Sequence, residues 1–124
     1  MAQPALQDSL RERLKSIVGR PGYLEGDDIQ TRHYRDWLGS RAVRPALLLR
    51  PANTQEVADI LRACHGAGQP LTPQGGLTGL VSAGAPRDGE LALSLERMKQ
   101  MEEVDRPTST VTVEAGVELE TMQA

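Results

Sequence analysis

Phenylalanine is absent from the 124 residues, and one Trp and two Tyr make up the whole aromatic complement. Aliphatic side chains must therefore fill any core, within an apolar content of 39%. A single cysteine, Cys64, excludes an intrachain disulfide and agrees with a reducing compartment. No apolar run approaches the ~18 residues that span a bilayer, and the first residues lack the basic-then-apolar layout of a secretory signal. A cytoplasmic, non-transmembrane protein is the expectation. There is also no Gly-Lys pair, which excludes a Walker phosphate loop.

The length suits one domain. A domain of this size buries only about 60–70% of its unfolded surface, so its stability margin is thin. The net charge of −3 is unevenly spread: residues 1–87 carry 11 basic and 8 acidic side chains, residues 88–124 carry 3 and 9. An acidic half with no basic stripe argues against a nucleic-acid partner.

Leu6, Leu10, Leu14, Ile17 and Val18 recur at spacings of three and four until Gly19, which predicts an amphipathic helix over about residues 5–18. Residues 20–45 show no clean period and read as mostly irregular, with room for a short helix in "GDDIQTRHYRDWLG". "ALLLR" (46–50) reads as a buried strand. In "PANTQEVADILRACHGAG", Asn53 and Glu56 fit a capping box, Val57, Ile60, Leu61 and Cys64 fall on one helical stripe, and Gly66 and Gly68 end the pattern. "QPLTP" (69–73) reads as a second strand, so residues 46–73 form a parallel βαβ unit. "ELALSL" (90–95) is a further strand. "MEEVD" (101–105) and "STVTVEAG" (109–116), joined by "RPT", predict a hairpin, and "VELETMQA" begins a helical pattern. Eight helical residues are not stable unpacked, from which the chain reads as a fragment of a larger protein.

Between the strands lies "PLTPQGGLTGLVSAGAP" (70–86), with four glycines. Each glycine costs about 0.5–1 kcal/mol of extra chain entropy on folding. Consecutive glycines can turn successive N–H groups into one concavity that a pyrophosphate approaches without side-chain obstruction, with Gln74 and Thr78 as neutral donors. From spacing alone a plain surface connection stays open. Gly66-Ala67-Gly68 does not open a Rossmann fingerprint, because it ends a helix where the fingerprint begins one.

"PQGGLTGLVSAGAP", with "LALSLERMKQMEEVD" and "VTVEAGVELETMQA" after it and "LLLRPANTQEVADILRACHGAGQPLTPQGG" and "RDWLG" upstream, resembles the N-terminal part of the FAD-binding domain of vanillyl-alcohol-oxidase type flavoproteins. Within that type the likeness is to the FAD-linked D-2-hydroxyacid dehydrogenases that oxidise D-lactate, D-2-hydroxyglutarate or glycolate. The resemblance covers residues 34–124. Residues 1–33 read as a helix and irregular lead-in, and the resemblance implies that 34–124 are the N-terminal portion of an FAD-binding domain, truncated. It further implies that Pro73, Gln74, Gly75, Gly76, Leu77, Thr78, Gly79 and Leu80 line the FAD pyrophosphate, with Ser82, Ala83 and Gly84 completing the bend. There are two departures from the family pattern, Leu77 in place of Asn or Gly and Ser82-Ala83 in place of two glycines. Because no His, Cys or Tyr occurs between 66 and 124, the flavin is expected to be non-covalent.

The family's bases, substrate-binding Arg and metal ligands match no position of this chain, so no catalytic or metal residue is assigned. His65 falls in the last turn of its helix, where a partly positive imidazole suits the dipole. His33, beside Tyr34 and Asp36, has no partner that would define chemistry. Cys64 and Trp37 read as packing residues, and Asp27-Asp28 lack the partners a metal needs. The expectation is an α+β (α/β-like) fold, a βαβ unit plus hairpin, serving an oxidoreductase that converts a D-2-hydroxyacid to a 2-oxoacid. By itself the chain is expected to be inactive and to self-associate through exposed sheet and helix faces. The alternative is a non-catalytic binding or interaction module that keeps the fold.

Overall fold

The computed structural model describes residues 7–30, 44–75, 86, 87 and 89–117. Helix α1 (Asp8–Gly22) carries Leu10, Leu14 and Val18 on its buried side. The predicted stop at Gly19 is a kink, with φ +67°, after which the chain makes one more turn through Pro21. Proline suits the first turn of that new segment because its missing N–H would have had no partner there.

Residues read as irregular then contribute a strand, β1 (Tyr23–Leu24), and a 3-10 turn at Gly26–Asp28. Such a short strand has no period to detect; it forms because β2 (Leu48–Leu49) offers a partner, Tyr23 opposite Leu49 and Leu24 opposite Leu48. Tyr23 also anchors α1. Its hydroxyl and the Glu25 carboxylate both accept from Arg11, at 3.4 and 2.7 Å. Burial, ahead of the Arg11 hydrogen bond that opposes it, holds the phenol above its ordinary pKa.

Helix α2 (Thr54–Ala67) starts as its sequence predicts. Asn53 accepts from the Glu56 N–H at 2.9 Å, while the Glu56 carboxylate reaches back to the Ala52 N–H at 3.1 Å, one residue before the reciprocal position of a capping box. Gly68, in the left-handed region at φ +68°, ends it, and the Gln69 N–H closes on the Cys64 carbonyl at 2.8 Å. Ile60, Ala63 and Cys64 are buried, but Leu61 is 49% exposed. The apolar stripe is therefore narrower than the spacing suggests, with Ala63 in the place expected of Leu61.

Strands β3 (Leu71–Gln74) and β4 (Leu91–Ser94) complete a mixed sheet of order β1-β2-β4-β3. The strand-helix-strand reading is corrected in one respect: β2 and β3 are parallel but not neighbours, because β4 lies between them and pairs with both. All four residues of β4 are buried, as befits a central strand.

Leu47, Leu49, Leu91 and Leu93 face the helices and join Leu10, Leu14, Val18, Ile60, Ala63 and Cys64 in the main core. By the alternation of strand side chains, Leu48, Thr72, Gln74, Ala92 and Ser94 occupy the opposite face, where Ile29 and the half-buried Leu24 pack on Leu48 and Ala92.

The predicted hairpin is present as pairing without continuous strands. Met101 bridges Val113, Asp105 bridges Thr110, and the turn spans Arg106–Ser109, with Ser109 at φ 55°. Nearly every residue of this ribbon is exposed, including Met101 and Val104. A two-stranded ribbon without packing is at best marginal, which accounts for the interrupted ladder. The helical pattern of "VELETMQA" lies, beyond Val117, outside the described residues.

Candidate functional site

Strands β2, β3 and β4 run parallel, so their carboxyl ends lie at one edge of the domain, and in open α/β sheets ligands bind outside that edge. Register places Leu71 beside Leu91 and Gln74 beside Ser94. The glycine-rich run therefore leaves the sheet at the carboxyl edge, at Gln74, and the chain returns to it at the amino edge, at Leu91.

Three of the residues expected to line a phosphate are described. Pro73 is exposed in β3, Gln74 is buried on the sheet face away from the helices, and Gly75 follows directly. Gly76, Leu77, Thr78, Gly79, Leu80, Ser82, Ala83 and Gly84 lie outside the described residues, as do His33, Asp36 and Trp37.

At the same edge the turn after β4 is tied down by backbone hydrogen bonds. The Leu95 N–H donates to the Gln74 carbonyl at 2.9 Å, and the Met98 N–H to the Leu95 carbonyl at 2.9 Å. The Glu96 N–H donates to Ser94 Oγ at 3.3 Å. Next to it, Arg50 at the end of β2 pairs with Glu96 at 3.2 Å and donates to the Pro21 carbonyl, while Arg97 donates to the Arg50 carbonyl at 2.9 Å. These contacts fix the ends of β2 and β4 relative to the α1 kink.

Sequence reasoning left out two residues that shape this edge. Gly116 is buried against the turn after β4, and Ala115 presents its carbonyl to Gly75. The only signal for Gly116 in the sequence is its place directly after an alternating run.

The amino edge is organised differently. The Glu90 carboxylate accepts from the Arg87 N–H at 2.6 Å and the Thr72 hydroxyl at 2.7 Å, and these bonds, the first foremost, hold it below the usual carboxylate pKa.

The other candidate groups are placed elsewhere. His65 is exposed in the last turn of α2. Asp27 pairs with Arg44 at 3.2 Å on the surface. Among the described residues no group of three or more His, Cys, Asp or Glu side chains converges as metal ligands would.

Cys64 lies in the core, where burial pushes its thiol up to about 11 from the ordinary 9.0. The folded form thus keeps the proton that the unfolded chain gives up, so above the unfolded pKa stability falls as pH rises, until the folded thiol also ionises. The urea midpoint is expected to drop from about pH 9 towards 11, and a Cys64→Ser variant to lose that part of the decline. Disulfide-exchange reagents are expected to label native Cys64 far more slowly than the urea-unfolded chain.

At the described part of the carboxyl edge the glycine-rich run begins on the end of β3, with its first glycine set against the Ala115 carbonyl. A family model described as an FAD binding domain matches residues 45–124. A probable mitochondrial D-2-hydroxyglutarate dehydrogenase from Oryza sativa subsp. indica is 36% identical over 110 residues, covering 89% of this chain and 20% of that protein. A putative mitochondrial D-lactate dehydrogenase from Schizosaccharomyces pombe is 35% identical over 113 residues, covering 86% of this chain and 22% of its own length. Among solved structures, an alkyldihydroxyacetonephosphate synthase superposes with a TM-score of 0.81 at 18% identity, over 98% of this chain and 25% of that one. The chain thus spans about a fifth of the length of these curated relatives.

Proposed function

The chain belongs to the FAD binding domain family, and from this we propose that it is the pyrophosphate-holding part of an FAD-linked D-2-hydroxyacid dehydrogenase of the vanillyl-alcohol-oxidase type. The observation that carries the reading is the family match over residues 45–124, whose glycine-rich run starts at the carboxyl edge of a parallel sheet. FAD, when bound, supplies the acceptor for the hydride equivalent removed from the substrate carbon.

The residues of this chain hold and orient. Pro73 and Gln74 fix the start of the run on β3, Gly75 to Leu80 offer backbone N–H groups to the two phosphates, and Ser82, Ala83 and Gly84 close the bend. Neutral backbone donors suit a pyrophosphate where no lysine or arginine lies in the run from Pro70 to Pro86. With no His, Cys or Tyr between 66 and 124, this stretch supplies no side chain for a histidyl, cysteinyl or tyrosyl flavin link, which supports non-covalent binding to it. Substrate contacts and the base that takes the hydroxyl proton belong to the longer relatives' remaining length, so the chain alone is expected to bind cofactor without turnover.

Titration of the chain with FAD, followed by flavin fluorescence, tests this. Micromolar binding is expected, weakened at least tenfold, or about 1.4 kcal/mol, by Gly76→Val, which puts a branched side chain in the run. Equal affinity in the two proteins would sink the cradle. In a protein carrying the relatives' full length, anaerobic bleaching of the flavin by D-lactate or D-2-hydroxyglutarate, and not by the L enantiomers, is the corresponding test of substrate class.

A further inference from the structure

Gly116 has less room than any other glycine whose surroundings are described. A Cβ built on it would lie 2.0 Å from the Leu95 carbonyl oxygen and 2.7 Å from that of Met98, both backbone atoms, and real Cβ contacts do not fall below 3.0 Å. Its φ is not in the left-handed region, so space alone, and not backbone conformation, requires glycine. The Gly116 N–H donates to the Met98 carbonyl at 2.9 Å. Met98 in turn is bonded to Leu95, and Leu95 to Gln74, giving three backbone hydrogen bonds in series from residue 116 to the last residue of β3. A second path runs through the preceding peptide. The Ala115 carbonyl oxygen would sit 3.2 Å from a Cβ at Gly75, tighter than nine in ten such contacts.

We propose that Gly116 is a positioning residue for the cofactor: with Ala115 it clasps Gly75, and so sets where the phosphate-holding run leaves the sheet. The Ala115–Gly116 peptide is wedged between the turn after β4 and Gly75, so whatever displaces residue 116 displaces the start of the run. The proposal takes its ligand from the FAD reading above, while the clasp stands on geometry alone. It also gives the glycines separate duties. At Gly75 the missing side chain leaves room for a neighbouring peptide.

The test uses the full chain, 15N-labelled, with FAD as the probe. In Gly116→Ala, the amide signals of Gln74, Gly75 and Leu95 are expected to move and the Leu95 N–H to exchange at least tenfold faster, with Ile60 and Cys64 in α2 unchanged. FAD affinity is expected to fall at least tenfold. A control at the exposed ribbon, Val104→Ala, is expected to leave both readouts at wild-type values.

Should Gly116→Ala not fold, Gly75→Ala reads the clasp from its other side, since the neighbouring carbonyl need yield only a few tenths of an ångström. The Ala115 and Gly116 amides then move. Unmoved amides across the clasp in either variant, or moved amides with wild-type FAD affinity, overturn the proposal. A wild-type chain that takes up no FAD overturns its cofactor half and counts against the FAD reading; the amide shifts then decide the clasp separately.

Discussion

Leu14→Ala is expected to destabilise the domain by about 2–5 kcal/mol, the range for emptying a fully buried leucine site. Leu14 is wholly buried where α1 packs on α2 and the sheet, among Leu10, Val18, Ile60 and Ala63. The removed methyl groups leave a cavity that two helices and a central strand cannot easily collapse to fill. For a domain whose whole margin is about 5–15 kcal/mol, that loss brings unfolding close to ambient conditions. Leu61→Ala is the companion. Both leucines lie in amphipathic helices, but Leu61 is 49% exposed, and its truncation is expected to change stability by no more than about 0.5 kcal/mol. Urea unfolding followed by circular dichroism measures both, and equal losses would contradict the packing described for α2.

Gly22→Val is expected to be as damaging for the opposite reason. Gly22 joins the kinked end of α1 to β1, and its carbonyl accepts the Arg50 N–H at 2.8 Å. A Cβ there would lie 2.7 Å from Val18 Cβ, 2.8 Å from the Arg50 carbonyl oxygen and 3.1 Å from Arg97 Nη1. Overpacking of this kind costs about 1–3 kcal/mol, and a β-branched side chain against backbone belongs at the upper end or beyond. The first two obstacles cannot rotate away. Adding Arg97→Ala is therefore expected not to rescue Gly22→Val in thermal unfolding; recovery would show that the guanidinium, and not the backbone, sets the limit.

Periodic segments were legible in the sequence because their signals are local. Leu10, Leu14 and Val18 predicted the buried side of α1, Asn53 and Glu56 the start of α2, and Gly68 its end. What escaped depends on partners distant in sequence. Tyr23–Leu24 is a strand because Leu48–Leu49 is there to pair with it, and nothing local distinguishes it from irregular chain. The parallel relation of β2 and β3 was readable from strand, helix and strand, but not their separation by β4, since short apolar runs carry no record of neighbour order. Leu61 was misplaced because a spacing rule allows a wide stripe, whereas the sheet beneath α2 admits a narrow one.

At the site, composition identified the glycine run and the family resemblance gave it a ligand. The tightness around Gly116 could not be foreseen, because it arises from a carbonyl 21 residues earlier in the chain.

The insertion of β4 between β2 and β3 also bears on how the polypeptide is made. A nascent chain that has emerged only as far as Gln74 holds two leucine-bearing segments, each lacking the ladder that β4 will supply. Unpaired strand edges of that kind recruit other chains. At about 5–20 residues per second, the ribosome needs about 1–4 s to add the next 20 residues, through Ser94. For that interval the sheet cannot close, and the need for a chaperone is concentrated there.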